Sequence, residues 1–194
     1  IKVAYDANGN GVPDENEWYE IAGSAHEDPT KELWHSKALA AGNDVNLYTN
    51  YEITYYRPTK EPDTDEEMEQ YIRWEDNKGF SGYKAKNIFH DQCHYPLWAG
   101  GDKITFRGTC LPQNAVDESG EGTYFVLYKF RYGYADNELN SADESAIDIS
   151  WAVNEKGQKV SLPGVYFIKI YTGVNQQNGW LSECSAEITG VEDL

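Results

Sequence analysis

Apolar and polar residues alternate along much of this chain with the two-residue period of strands rather than the 3.6-residue period of helices. Tyr51-Glu-Ile-Thr-Tyr-Tyr-Arg57 alternates and is stopped by Pro58. Tyr71-Ile-Arg-Trp74 runs into the turn cluster Asp76-Asn-Lys-Gly79, and Ile104-Thr-Phe-Arg107 alternates again. Tyr124, Val126, Tyr128 and Phe130 present one apolar face, as do Ile147, Ile149 and Trp151. The turn Asn154-Glu-Lys-Gly157 feeds residues 160–162. Beyond Pro163-Gly164, residues 165–171 are apolar on both sides, which predicts a central strand. Residues 181–188 form the last predicted strand. Helical periodicity is weak: residues 31–41 suit one short helix, and residues 66–72 read as the acidic approach to a strand. About eight to ten strands separated by turn signals predict an all-β fold, a β-sandwich or jelly roll. Its expected helix content is below about 15%. No internal repeat or linker divides the chain, so residues 1–194 are expected to form one domain.

One segment departs from the strand pattern. Asp6-Ala-Asn-Gly-Asn-Gly-Val-Pro-Asp-Glu-Asn-Glu17 follows the spacing of a twelve-residue EF-hand calcium loop. Asp6, Asn8 and Asn10 supply side-chain oxygen at positions 1, 3 and 5, and Gly11 allows the sharp turn at position 6. Val12 offers its carbonyl at position 7, Asp14 stands at position 9, and Glu17 brings a two-oxygen carboxylate at position 12. The flanks differ from an EF-hand. Pro13 at position 8 has no N–H for a sister loop, and residues 1–5 and 18–21 read as strands, not helices. A lone calcium loop between strands is the expectation, against an Asn/Gly-rich hairpin that binds no metal.

Composition sharpens this picture. The net charge is -17, with 33 acidic against 16 basic residues, which disfavours nucleic acid and anionic membrane as partners and favours cations. No apolar run reaches the roughly 18 residues of a membrane span. Fifteen Tyr and six Trp argue against disorder and for strands and half-exposed surfaces. The loop aromatics Tyr95, Trp98, Tyr134 and Trp180 are candidates for a ligand surface, whereas Trp74 and Trp151 alternate with polar neighbours and are expected in the core. His90, Cys93 and His94 cluster, yet they lack the ligand count of a structural zinc site. Asp136, Asn137, Asn140, Asp143 and Glu144 read as a solvated acidic loop before a second cation site. The three cysteines allow a Cys93–Cys110 pair with Cys184 left in its strand, and none is expected to be a nucleophile. No Gly-x-Ser-x-Gly elbow, His-Glu-x-x-His or phosphate loop is present.

Taken in order, several motifs resemble a Bacteroidetes cell-surface, PKD-associated lipoprotein family. They are Asp6 to Asp14 with Glu17-Trp-Tyr-Glu-Ile-Ala-Gly-Ser24, Tyr51 to Pro58, Arg73-Trp-Glu-Asp-Asn77, Tyr95-Pro-Leu-Trp98, Tyr132-Gly-Tyr-Ala-Asp-Asn137, Phe167 to Thr172 and Gly179-Trp-Leu-Ser-Glu183. The resemblance implies export, an outer-membrane location through a lipid anchor upstream, and a first strand or strands missing ahead of Ile1. Cys93 and His94 depart from the Ser and Tyr that relatives tend to carry there. Two functions are weighed. One is a calcium-stabilised binding or adhesion module that captures a glycan, a corrinoid or a host glycoprotein. The alternative is a calcium-dependent carbohydrate-active enzyme.

Overall fold

The computed structural model describes residues 1–86, 95–179 and 184–193. Antiparallel sheet dominates its regular structure: strand takes 25% of the residues and helix of every kind 15%, mostly in single 3-10 turns. The fold is all-β, as the alternation predicts. One sheet has the order β10 (Phe167–Lys169), β1 (Lys2–Ala4), β2 (Trp18–Ile21), β9 (Ala152–Val153). A second has the order β5 (Ser81–Lys84), β4 (Ile72–Asp76), β3 (Tyr48–Tyr56), β6 (Lys103–Cys110). A two-stranded ribbon joins β7 (Ala115–Asp117) to β8 (Phe125–Leu127).

The apolar interior is divided among these elements. Val3, Ile21 and Ala152 pack under the first sheet, and Tyr51, Ile53, Cys110 and Val174 under the second. Trp34, Ala38, Val116 and Phe130 form a third cluster between α1 (His35–Ala40) and the ribbon. In it the Trp34 and Phe130 rings meet edge to face at 5.4 Å, and Trp34 Nε1 donates to the Lys129 carbonyl at 3.0 Å.

Four segments differ from the alternation, each for a local reason. The apolar face from Tyr124 to Phe130 pairs only as far as Leu127, because side-chain amides then replace a partner strand. Asn137 accepts from Phe130 N and donates to Phe130 O at 2.8 and 2.7 Å, while Asn114 donates to Tyr128 O. Residues 149–151 wind into a 3-10 turn because the Asp148 carboxylate caps Ser150 N at 2.8 Å. The expected central strand at 165–171 is instead the edge strand β10, with Ile168 46% exposed. Residues 65–69 form a helix, α2 (Asp65–Glu69), because Thr64 accepts from Glu67 N and three acidic residues occupy its first turn. Part of the predicted last strand, residues 181–183, lies outside the described residues, and 184–190 pair in no strand.

Candidate functional site

The segment 6–17 connects β1 to β2, whose register pairs Val3 with Tyr19 and Ala4 with Trp18. The hairpin ends are therefore fixed by the first sheet, and the loop between them is held by its own side chains. Asp6 receives three backbone N–H groups: Gly9 at 2.7 Å and Asn10 at 3.1 Å on Oδ1, and Gly11 at 2.9 Å on Oδ2. Such convergence requires the chain to turn back on itself, which Gly9 and Gly11 permit at φ of 70° and 78°. Asn8 Oδ1 and Asn10 Oδ1 each accept from the N–H two residues on, both at 2.9 Å. Their carboxamide nitrogens converge on Asp14 Oδ2 at 2.6 and 3.1 Å.

Glu17 closes the ring. Its side chain is buried, and its two oxygens accept from Ala7 N at 2.9 Å and Asp14 N at 3.1 Å, so one carboxylate clips both ends of the loop together. A buried carboxylate is tolerated only with such partners. Val12 is exposed, and Pro13 fixes the backbone between it and Asp14. The three carboxylates, two carboxamides and one carbonyl of the expected calcium set thus lie in one loop. Among the described residues, no three His, Cys, Asp or Glu side chains converge as a metal-holding group. Three carboxylates are only half of this oxygen set; amides and a carbonyl supply the rest.

A second feature lies on the other sheet. A cavity of about 500 Å³, open to solvent, is walled by Tyr48, Tyr51, Trp74, Phe80 and Phe125. Tyr48 and Tyr51 come from β3, Trp74 from β4 and Phe80 from the turn after it. Asn175 and Gln177 reach the cavity from the far end of the sequence, as Gln113 does from the segment after β6. Two aspartates orient the phenols: Tyr48 donates to Asp44 at 2.9 Å and Tyr51 to Asp76 at 2.7 Å. Desolvation, together with these acceptors, pushes both phenols above their ordinary pKa. Both therefore keep their protons at neutral pH.

The aromatic residues expected to form a ligand surface are placed differently from one another. Tyr95 is 2% exposed, its ring under the Arg57 guanidinium at 4.5 Å and its hydroxyl on the Gly101 carbonyl, so no ligand reaches its face. Trp98 is 75% exposed. Tyr134 is half-buried, stacked at 4.5 Å on Phe130, and it borders a separate cavity of about 210 Å³. Trp180 lies outside the described residues, as do His90, Cys93 and His94. Trp74, expected in the core, is only half-buried and faces the 500 Å³ cavity. Tyr48, Phe80 and Phe125 were not singled out by sequence; the one local signal was the Asp76-Asn-Lys-Gly79 turn that presents Phe80. In the acidic loop, Asp136 accepts from Glu187 N at 2.9 Å, and Asn137 is committed to Phe130.

Cys110 and Cys184 are free thiols; Cys93, the partner expected for Cys110, lies outside the described residues. Burial pushes the Cys110 thiol up to about 11, leaving it protonated and unreactive at neutral pH. Nearby, burial pushes the Lys84 ammonium down to about 8 from its usual 10.5. Below pH 8 the amine is charged in both states, and the folded state carries the full desolvation penalty. Between pH 8 and 10.5 the unfolded chain still holds the proton that the folded chain has lost, so stability rises with pH. Urea melts should show this rise, of the order of 2 kcal/mol. Lys84→Met should flatten it and stabilise the protein at pH 7. Identical slopes in the two proteins would show that Lys84 is not the group responsible.

No protein-family model matches the chain, and no match is found among curated proteins.

Proposed function

We propose that this chain is a calcium-braced extracellular binding module that captures a ligand at the cell surface. The surface location follows from the sequence resemblance. The observation that carries the calcium reading is the cage of N–H groups around Asp6 and Glu17. Backbone donors hold both carboxylates at the mouth of a single loop, a cost in chain entropy that an isolated hairpin turn has no need to meet. The donor chemistry fits: calcium takes six to eight hard oxygens, and this loop offers Asp6, Asn8, Asn10, the Val12 carbonyl, Asp14 and Glu17. The ion would supply the positive charge that the three carboxylates of this loop lack. Ligand capture is supported by the aromatic-walled cavity on the second sheet, none of whose lining residues belongs to the loop. Calcium therefore acts as a brace on the β1–β2 hairpin and takes no part in ligand contact.

Isothermal titration of calcium chloride into chelator-stripped protein tests the reading. One site is expected, with a dissociation constant of about 10⁻⁵ to 10⁻³ M, lost in Asp6→Ala and kept in Glu15→Ala. Absence of any saturable heat in the unmodified protein would remove the brace from the proposal.

A further inference from the structure

The walls of the 500 Å³ cavity specify the class of ligand more narrowly than its size does. We infer that it binds one neutral sugar ring, stacked on Trp74 and Phe80 and held at its rim by the Gln177 carboxamide; this rests on reading the chain as a binding module. Anions are excluded by charge. No Lys, Arg or His is among the described lining residues, two aspartates are, and the whole chain stands at -17.

The choice between a cation and a polyol turns on the neutral polar groups and the aromatic faces of the wall. Asp44 accepts from Asn46 N, Asn46 Nδ2 and the Tyr48 hydroxyl, and Asp76 from Lys78 N, Phe80 N and the Tyr51 hydroxyl. Each carboxylate thus takes three internal hydrogen bonds and is fixed in the wall. Both phenols donate to these aspartates, and the Tyr51 oxygen in turn accepts from Asn175 Nδ2 at 3.4 Å. Five carboxamide side chains also line the cavity, and four of them already donate within the wall: Asn43 to the Gln113 and Ala115 carbonyls, Asn46 to Asp44, Gln113 to the Asn175 carbonyl and Asn175 to the Tyr51 hydroxyl, which leaves Gln177 with both halves of its amide for a ligand. A carboxamide offers a donor and an acceptor side by side, which matches a hydroxyl that both gives and takes a proton. An organic cation has no use for the donor half. The Gln177 carboxamide makes no hydrogen bond of its own among the described residues, so a polar group of the wall is left for a ligand.

The apolar surface has the matching shape. Trp74 faces Gly82 across β4 and β5, and a Cβ at residue 82 would stand 3.0 Å from the indole. The glycine lets the indole lie down across the strand pair. Phe80, 53% exposed, is held over Tyr48 with ring centres 6.5 Å apart. A pyranose has one face of C–H groups and a rim of hydroxyls, so it can cover an aromatic ring while its rim reaches the Gln177 amide. A volume of about 500 Å³ holds one or two such rings.

Titration of the calcium-loaded chain with the methyl glycosides of glucose, galactose, mannose and N-acetylglucosamine tests this. At least one glycoside is expected to bind in the millimolar range or tighter. Phe80→Ala and Gln177→Ala should each weaken it about ten-fold. Tyr166→Ala, at an exposed aromatic away from the cavity, should leave it unchanged, and tetramethylammonium should not compete. The inference is overturned if none of the four glycosides binds, if both cavity variants bind as the parent does, or if tetramethylammonium occupies the cavity instead. A parent that binds calcium but no glycoside loses only this inference. A parent that binds neither calcium, a glycoside nor tetramethylammonium loses the module reading as well. Phe80 is exposed and the Gln177 side chain makes no hydrogen bond among the described residues, so circular dichroism should show both variants folded.

Discussion

In calcium at one hundred times its dissociation constant, the folded chain is expected to be about 2.7 kcal/mol more stable than in excess chelator. The figure is the linkage free energy of a ligand that binds the folded state alone. The unfolded segment 6–17 has no reason to gather its oxygens, because three carboxylates in one loop repel each other. Thermal melts should rise with calcium and fall with chelator. Magnesium, which demands a tighter octahedron, should substitute poorly. Asp6→Ala and Glu17→Ala should abolish the shift. Each also lowers the baseline, since Asp6 holds three loop N–H groups and Glu17 holds two, so the comparison to read is the shift within each variant. Glu15, exposed and outside the oxygen set, is the control. Equal melting temperatures in calcium and chelator would contradict the calcium reading outright.

Gly133→Ala should destabilise the fold by about 3–5 kcal/mol, the largest single-methyl effect expected here. Gly133 has φ of 88°, and a Cβ there would stand 2.4 Å from the Gly23 Cα. The two backbones cross at this point and are tied by Ser24 N donating to the Tyr132 carbonyl at 3.0 Å and Arg131 N to Ser24 Oγ at 3.2 Å. Neither side can retreat as a flexible side chain would: Ser24 is fully buried, and a Cβ on Gly23 would in turn meet the Tyr134 ring at 2.5 Å. The crossing joins the end of the first sheet to the cluster around Trp34, so opening it separates two parts of the core. Gly157→Ala isolates the conformational part of the effect, because Gly157 has a φ of 72° with open space around it. It should cost only about 1 kcal/mol. Equal losses at the two positions in urea denaturation would mean that the crossing is not tight.

The segments legible in the sequence are those whose structure is set within a few residues. The loop from Asp6 to Glu17 closes through partners at most ten positions apart, and its spacing is visible in one line of text. The strands β1, β2, β3, β4 and β6 follow from alternation and from Pro58 and Gly79 as stops. Residues 149–151 show where the rule fails: the pattern there is that of a strand, but Asp148 offers the backbone a nearer acceptor. What only the tertiary structure decided is whatever depends on distant partners. Residues 165–171 became an edge because no strand of the described residues lies beyond β10, and Tyr95 became core because Arg57 and Gly101 close over it. The cavity is the extreme case, bringing Tyr51 to Asn175 across 124 positions. A half-buried tryptophan such as Trp74 carries no local sign of facing a cavity rather than the core, since either environment accepts its apolar body and its strand position.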